Sequence, residues 1–169
     1  RHLDGSNGQV PQAALLVAGA TLYGTTSQGG NCNDGIVFKL GTDGSGFQLQ
    51  HVFAALPDSS SPQANVGGAS PLAGLTDGKD GRFYGVASGG GTNGIGTIFS
   101  FDPVGRLFSV MHNFEDSNGD TPAGTMILGL DTRLYGTTAF GGTTSNGSKS
   151  TFGTIFSIAR DGTGFSKLH

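Results

Sequence analysis

Through the middle of the chain, apolar and β-branched residues gather into short runs divided by clusters of small polar residues. One run covers residues 72–76 and ends at the turn Asp77-Gly78-Lys79-Asp80-Gly81. A second covers residues 82–88, and a Gly/Asn loop at 89–94 leads to a third over 97–101. After a turn around Gly105, a fourth covers residues 107–114. Val, Ile, Thr, Phe and Tyr dominate these runs, a composition that suits a pleated, half-buried surface and predicts strands. Asp-Gly pairs between them suit tight hairpins. No window sustains a 3.6-residue apolar period, so helices are expected to be scarce or absent.

The pattern recurs. Leu22-Tyr23-Gly24-Thr25-Thr26 returns as Phe83-Tyr84-Gly85-Val86-Ala87 and as Leu134-Tyr135-Gly136-Thr137-Thr138. A second phrase follows each time: Gly35-Ile36-Val37-Phe38, Gly96-Thr97-Ile98-Phe99 and Gly153-Thr154-Ile155-Phe156. His51, His112 and His169 occupy one phase of the repeat. Ser6-Asn7-Gly8 with Pro11 matches Ser117-Asn118-Gly119 with Pro122, which sets Arg1 in register with His112. The chain therefore divides into repeats of approximately 1–50, 51–111 and 112–169 within a single repeat domain, 1–169, with length differences taken up in loops such as 56–70. Four antiparallel strands in roughly 50 residues is the size of a propeller blade. The expected fold is all-β, a β-propeller-like array of three four-stranded antiparallel blades. Tyr23, Tyr84, Tyr135, Phe38, Phe99 and Phe156 are expected to fill the spaces between blades. Closed propellers hold about four to eight blades. Three would leave two flanks bare, so completion by other chains or by a longer array is expected. Two chains closing a ring, or an open stack or filament, are the alternatives.

Composition narrows the function classes. Charged residues make up 12% of the chain and net charge is −3, with no basic block, so nucleic acid is not an expected partner. No apolar run reaches the roughly 18 residues that predict membrane insertion of this segment. The 32 glycines fall at matching points between apolar runs, where they read as turn punctuation. The single cysteine, Cys32, has no internal partner for a disulfide.

The combined phrase L-Y-G-T-T, G-G, N-x-G-T-I-F-x-L, D-G-x-G-F, L-H-x-F and P-x-A-G-L resembles the GloVer tandem repeats, found in bacterial proteins that carry one of several cell-surface sorting signals. The third copy carries the match through Leu134-Tyr135-Gly136-Thr137-Thr138, Gly141-Gly142, Gly153-Thr154-Ile155-Phe156, Asp161-Gly162-Thr163-Gly164-Phe165 and Leu168-His169. The middle copy departs from it at Val86-Ala87. The resemblance implies a secreted or surface-anchored, propeller-like repeat protein, brings no catalytic residues with it, and places any anchoring signal outside these 169 residues.

Candidate sites divide by loop. Thr42-Asp43-Gly44-Ser45-Gly46-Phe47 and Arg160-Asp161-Gly162-Thr163-Gly164-Phe165 look like shortened Asp-box turns, in which the Asp side chain binds local backbone N–H groups. Asp116, Asn118 and Asp120, with Glu115 beside them, show the D-x-N-x-D spacing that opens a calcium loop. The Gly and bidentate Glu of an EF-hand do not follow, so turn chemistry is the preferred reading and calcium the minority one. The pairs Gly29-Gly30, Gly89-Gly90 and Gly141-Gly142 open no helix and so form no nucleotide loop; close approach of loops explains them. His51, His112 and His169, one per blade, cannot share a metal ion and are assigned a partly buried, hydrogen-bonded structural role. Asn146 heads the glycosylation triplet Asn146-Gly147-Ser148.

The leading expectation is a non-catalytic extracellular or cell-surface module for adhesion, coating or self-assembly into a ring or fibre. Any ligand is placed at the end of the blades holding the loops between strands two and three and between strands four and one, with Asn31, Asn33, Asp34 and Asn93 as binding candidates. A glycan-binding, lectin-like propeller is the second reading, weakened by the absence of Trp as a stacking platform. A sialidase- or lyase-type enzyme ranks last: it would need a dense Arg/Glu/Tyr cluster, and the chain has nine Lys plus Arg. No cofactor is expected beyond that possible calcium ion.

Overall fold

The computed structural model describes residues 3–53, 65–144, 148 and 151–169. Twelve strands form three four-stranded antiparallel sheets, and no helix occurs among the described residues. The first sheet runs β1 (Leu16–Ala18), β2 (Thr21–Thr26), β3 (Ile36–Gly41) and β4 (Gln48–Val52). The second runs β5 (Thr76–Asp77), β6 (Phe83–Ala87), β7 (Thr97–Phe101) and β8 (Phe108–Asn113). The third runs β9 (Ile127–Leu128), β10 (Arg133–Thr137), β11 (Ile155–Ala159) and β12 (Ser166–Lys167). Each sheet pairs its strands in chain order.

The predicted second, third and fourth strands of the middle blade fall within a residue or two of β6, β7 and β8. The first does not: residues 72–76 were expected to be strand, and only Thr76–Asp77 pairs with β6. Neighbouring blades take up the missing ladder bonds. Thr25 Oγ1 donates to the Ala73 carbonyl at 2.9 Å, and Gly74 N–H donates to Thr125 Oγ1 at 3.0 Å. These innermost segments are tied sideways by hydroxyls, which satisfies their backbone without strand pairing.

Two cores result, and each is a seam between blades. Between blades one and two, Tyr23, Val37, Phe53 and Leu75 pack with Phe83, Phe99 and Phe101. Between blades two and three, Tyr84, Val86, Ile98 and Phe114 pack with Leu134, Phe156 and Ile158. Alternation along the strands explains the division. Tyr23 and Tyr84 point forward, toward the following blade, while the residue after each, Gly24 or Gly85, points back. That glycine is a steric requirement. Gly24, Gly85 and Gly136 lie directly opposite Phe38, Phe99 and Phe156, and an added Cβ would stand 2.5, 2.4 and 2.4 Å from those rings. The repeated Tyr-Gly phrase thus joins a forward-facing aromatic to a gap that seats a backward-facing one.

A bulge adds the other half of each seam. The register slips between Val37 and Phe38, so that Val37 pairs with His51 while Phe38 pairs with Leu49; the same slip between Ile98 and Phe99 pairs Ile98 with His112. One extra residue on the outer strand reverses which face its side chains occupy. Phe47 and Phe108 therefore face backward, whereas His51 and Phe53, like His112 and Phe114, face forward.

Candidate functional site

Antiparallel order divides the connections between the two ends of the blades. Hairpins β1–β2, β3–β4 and their repeats lie at one end; the β2–β3 loops and the segments linking blades lie at the other. Sequence reasoning placed its candidates at the second end, and there the structure uses most of them to hold loops. Asn33 Oδ1 accepts from Gly29 N–H at 3.0 Å, Asn65 Nδ2 donates to Asp34 Oδ2 at 3.0 Å, and Asn93 Nδ2 donates to the Phe114 carbonyl at 2.7 Å. Asn31 is exposed. Asn118 Oδ1 accepts from Glu115 N–H at 3.1 Å, and Asp120 Oδ1 accepts from Thr121 Oγ1 at 2.7 Å. Among the described residues, no three His, Cys, Asp or Glu side chains gather to hold a metal ion. Asn146 lies outside the described residues.

The paired glycines at this end do mark a close approach, but the middle pair is Gly90-Gly91 rather than Gly89-Gly90. Those two residues, like Gly29-Gly30 and Gly141-Gly142, have positive φ. A Cβ on Gly29, Gly90 or Gly141 would come within 2.6–2.7 Å of the segment entering the blade, near Gly8, Gly68 or Gly119. The Asp turns of the opposite end also behave as expected. Asp43 Oδ1 accepts from Ser45 N–H and Oγ at 2.9 and 2.7 Å, and Asp161 Oδ1 accepts from Thr163 N–H and Oγ1 at 2.9 and 2.7 Å.

A concavity lies at this hairpin end, between blades two and three. It is an open cleft of about 1080 Å³ edged by Asp80, Arg82, Asp131, Arg133, Arg160 and Asp161. Tyr84 forms its inner wall: its hydroxyl donates to Asp80 Oδ2 at 2.7 Å and lies 3.2 Å from the Arg160 carbonyl. Arg160 crosses the seam to donate to the Gly78 carbonyl at 2.6 Å and to pair with Asp80 at 3.4 Å. Burial, then the Asp80 carboxylate, raises the Tyr84 hydroxyl well above the usual tyrosine range. Arg133 donates to Ser157 Oγ at 3.1 Å and to the Gly164 carbonyl at 2.5 Å. Asp131 accepts from the Tyr135 hydroxyl at 2.7 Å, and that bond holds its carboxyl low; hydrogen bonds from Thr163 do the same for Asp161. The cleft thus presents fixed guanidinium donors and ionised carboxylate acceptors. Sequence reasoning missed it, although the signal was visible: Asp80-Gly81-Arg82-Phe83-Tyr84 returns as Asp131-Thr132-Arg133-Leu134-Tyr135, where the first repeat has Gly19-Ala20-Thr21-Leu22-Tyr23.

His51 and His112 are seam residues. His51 stacks on Phe108 of the next blade with centroids 3.7 Å apart and planes at 4°; His112 stacks on Phe165 at 3.8 Å and 6°. Burial holds His51 down to about 4 and lowers His112. His112 combines stacking with the expected hydrogen bonding, to Asn118, while its Nε2 is buried without a partner among the described residues. Phe53 and Phe114 complete each seam by meeting Phe99 and Phe156 edge-on at 5.5 and 5.3 Å.

Three meander sheets packed face to face through repeated aromatic seams define a propeller-like blade array. Residues 1–142, and again residues 62–169, match the family described as the Gloeobacter/Verrucomicrobia repeat, and the chain belongs to that family. No curated protein matches it. Among solved structures, a chain in the crystal structure of a nidogen/laminin complex is similar, with a TM-score of 0.47 and 12% identity over 89% of this chain and 42% of that one.

Proposed function

We propose that this chain is a non-catalytic module of an extracellular or cell-surface protein, built to assemble side by side with further copies of its own repeat. One observation carries the reading: both outer flanks of the array expose the residues that the internal seams bury. On blade three, Ile155 is 45% and Ile127 66% exposed, whereas Ile98, at the position of Ile155 in blade two, is fully buried. On blade one, Leu15 and Val17 are exposed and Leu22 and Leu40 half-buried, while their counterparts Phe83, Phe101, Leu134 and Ile158 are buried. Negative-stain electron microscopy of the purified chain tests the assembly: rings or filaments are expected, and a uniform field of single three-blade particles would refute it. Antibody labelling of intact producing cells tests the location, and labelling only after lysis would refute it.

A second reading is favoured by the cleft alone. Alternating guanidinium and carboxylate groups around a 1080 Å³ hollow suit the hydroxyl pairs of a saccharide. A glycan-array screen is expected to return binders that are lost in Arg133→Ala; a blank array would exclude this reading and leave the assembly role untouched.

A further inference from the structure

Blades two and three carry the same arginine at the same repeat position and use it differently. Arg82 and Arg133 each stand between an aspartate and a tyrosine, in Asp80-Gly81-Arg82-Phe83-Tyr84 and Asp131-Thr132-Arg133-Leu134-Tyr135. Arg133 is half-buried and tied down. Its Nε and Nη2 donate to Ser157 Oγ at 3.3 and 3.1 Å, and Nη2 also donates to the Gly164 carbonyl at 2.5 Å. In blade two the matching carbonyl is that of Leu107, which instead accepts from Asp102 N–H at 2.8 Å. Arg82 is left exposed, with one long bond from Nη1 to Ser100 Oγ at 3.4 Å and no ion pair among the described residues.

The carboxylates of blade two are engaged elsewhere. Asp80 accepts from the Arg82 backbone N–H and the Tyr84 hydroxyl, and it pairs with Arg160. Asp102 accepts from the Val104 and Gly105 N–H groups at 2.8 and 3.0 Å. Ser100 and Ser109, opposite each other on β7 and β8, line the cleft with Arg82. On the blade-three side, Asp161 spends Oδ1 on Thr163, and its other oxygen has no partner among the described residues. Few apolar side chains line the cleft, Val110, Met111 and Ala159, which disfavours a ligand gripped by apolar groups such as a peptide's. A guanidinium offers its N–H donors in a planar fork, and the acceptor that matches it is a carboxylate bound through both oxygens. A carboxylate for Arg82 and hydroxyls for Asp161 and the serines occur together in a uronic acid sugar.

We propose that the cleft between blades two and three binds uronate-bearing saccharides, the Arg82 guanidinium taking the sugar carboxylate and Asp161 accepting from a neighbouring hydroxyl. The inference rests on the saccharide reading of this cleft and gives it a chemical class and a first contact. Arg133, at the same repeat position, is already bonded within its own blade, so the carboxylate is assigned to Arg82 alone.

The test is isothermal titration calorimetry of the 169-residue chain with oligomers of galacturonate, alginate and hyaluronan, each beside its neutral, carboxyl-reduced counterpart. At least one uronate oligomer is expected to bind, and its neutral counterpart to bind about tenfold more weakly for want of one charge-assisted pair. Arg82 is exposed, so Arg82→Gln leaves the seams in place; it should weaken the acidic oligomer by the same factor and leave the neutral one unchanged. Lys79→Gln removes an exposed cation outside the cleft lining and should change neither. Equal affinity for acidic and neutral forms would overturn the carboxylate contact, as would equal losses in Arg82→Gln and Lys79→Gln or no loss in Arg82→Gln. Binding of neutral glycans without any uronate would also overturn it, and all these results leave the saccharide reading standing. No binding of any saccharide, acidic or neutral, would overturn both.

Discussion

The seam between blades two and three and the bare flank of blade three are built from the same repeat positions, yet they bury very different amounts of surface. In the seam Ile98 is fully enclosed, and Tyr84 bonds Asp80 beneath Arg160 of the following blade. On the flank Ile155 is 45% exposed, and Tyr135 keeps its bond to Asp131 with no blade above it. A single sheet covers neither of its faces, so burial in this protein is conferred by a neighbour. Local chemistry such as the Tyr–Asp bond forms either way; apolar enclosure does not.

The comparison is broken most forcefully by one substitution made twice. Ile98→Ala should cost about 2–5 kcal/mol, the range for truncating an enclosed aliphatic side chain, and Ile155→Ala in the dispersed chain less than about 1 kcal/mol. Equal urea midpoints for the two variants would remove the distinction between seam and flank. A second test uses acid. Burial in the seam lowers the folded-state pKa of His51 from an unfolded value of 6.5 to about 4, so the unfolded chain takes up the proton first as pH falls. Its contribution is complete above pH 6.5 and is lost between there and about pH 4, on the order of 3 kcal/mol at most at ~1.4 kcal/mol per pH unit. His51→Phe, which retains a ring over Phe108, should flatten that part of the stability–pH curve; an unchanged slope would place the titration elsewhere.

Smaller effects sharpen the picture. Gly85→Ala places a methyl 2.4 Å from the Phe99 ring and should cost about 1–3 kcal/mol through displaced packing, measurable by thermal unfolding. A neutral result would show that the ring can move aside. Asp80→Ala removes the acceptor of Tyr84 and the partner of Arg160, an expected loss of roughly 1–2 kcal/mol. Asp131→Ala, at the same repeat position on the bare flank, should leave the unfolding midpoint in place.

Much of the architecture was legible because the repeat writes each instruction three times. The Tyr-Gly phrase, the Thr-Ile-Phe phrase and the Asp-Gly turns fix strand identity, blade number and the aromatic seams through purely local chemistry. The first strand of each blade was less legible. Ala73 and Gly74 read as strand, but their backbone bonds go to threonines about 50 residues away. The histidines were recognised as equivalent, yet their stacking partners lie in the following repeat and are turned into reach by a one-residue bulge that composition does not announce. The cleft was hidden for a similar reason: Asp80 and Arg160 meet only once blades two and three stand face to face. The Asp-x-Arg-x-Tyr phrase marked it, but two copies among three invite dismissal as drift.

The central claim is that flank residues equivalent to seam residues become buried only when another repeat arrives. Hydroxyl-radical footprinting of Tyr84 and Tyr135, in dilute and in concentrated chain, tests it directly. Tyr84 should resist oxidation in both samples, and Tyr135 should react in the dilute sample and become protected in the concentrated one. Equal protection of the two tyrosines at a concentration where the particle has the mass of one chain would contradict the claim.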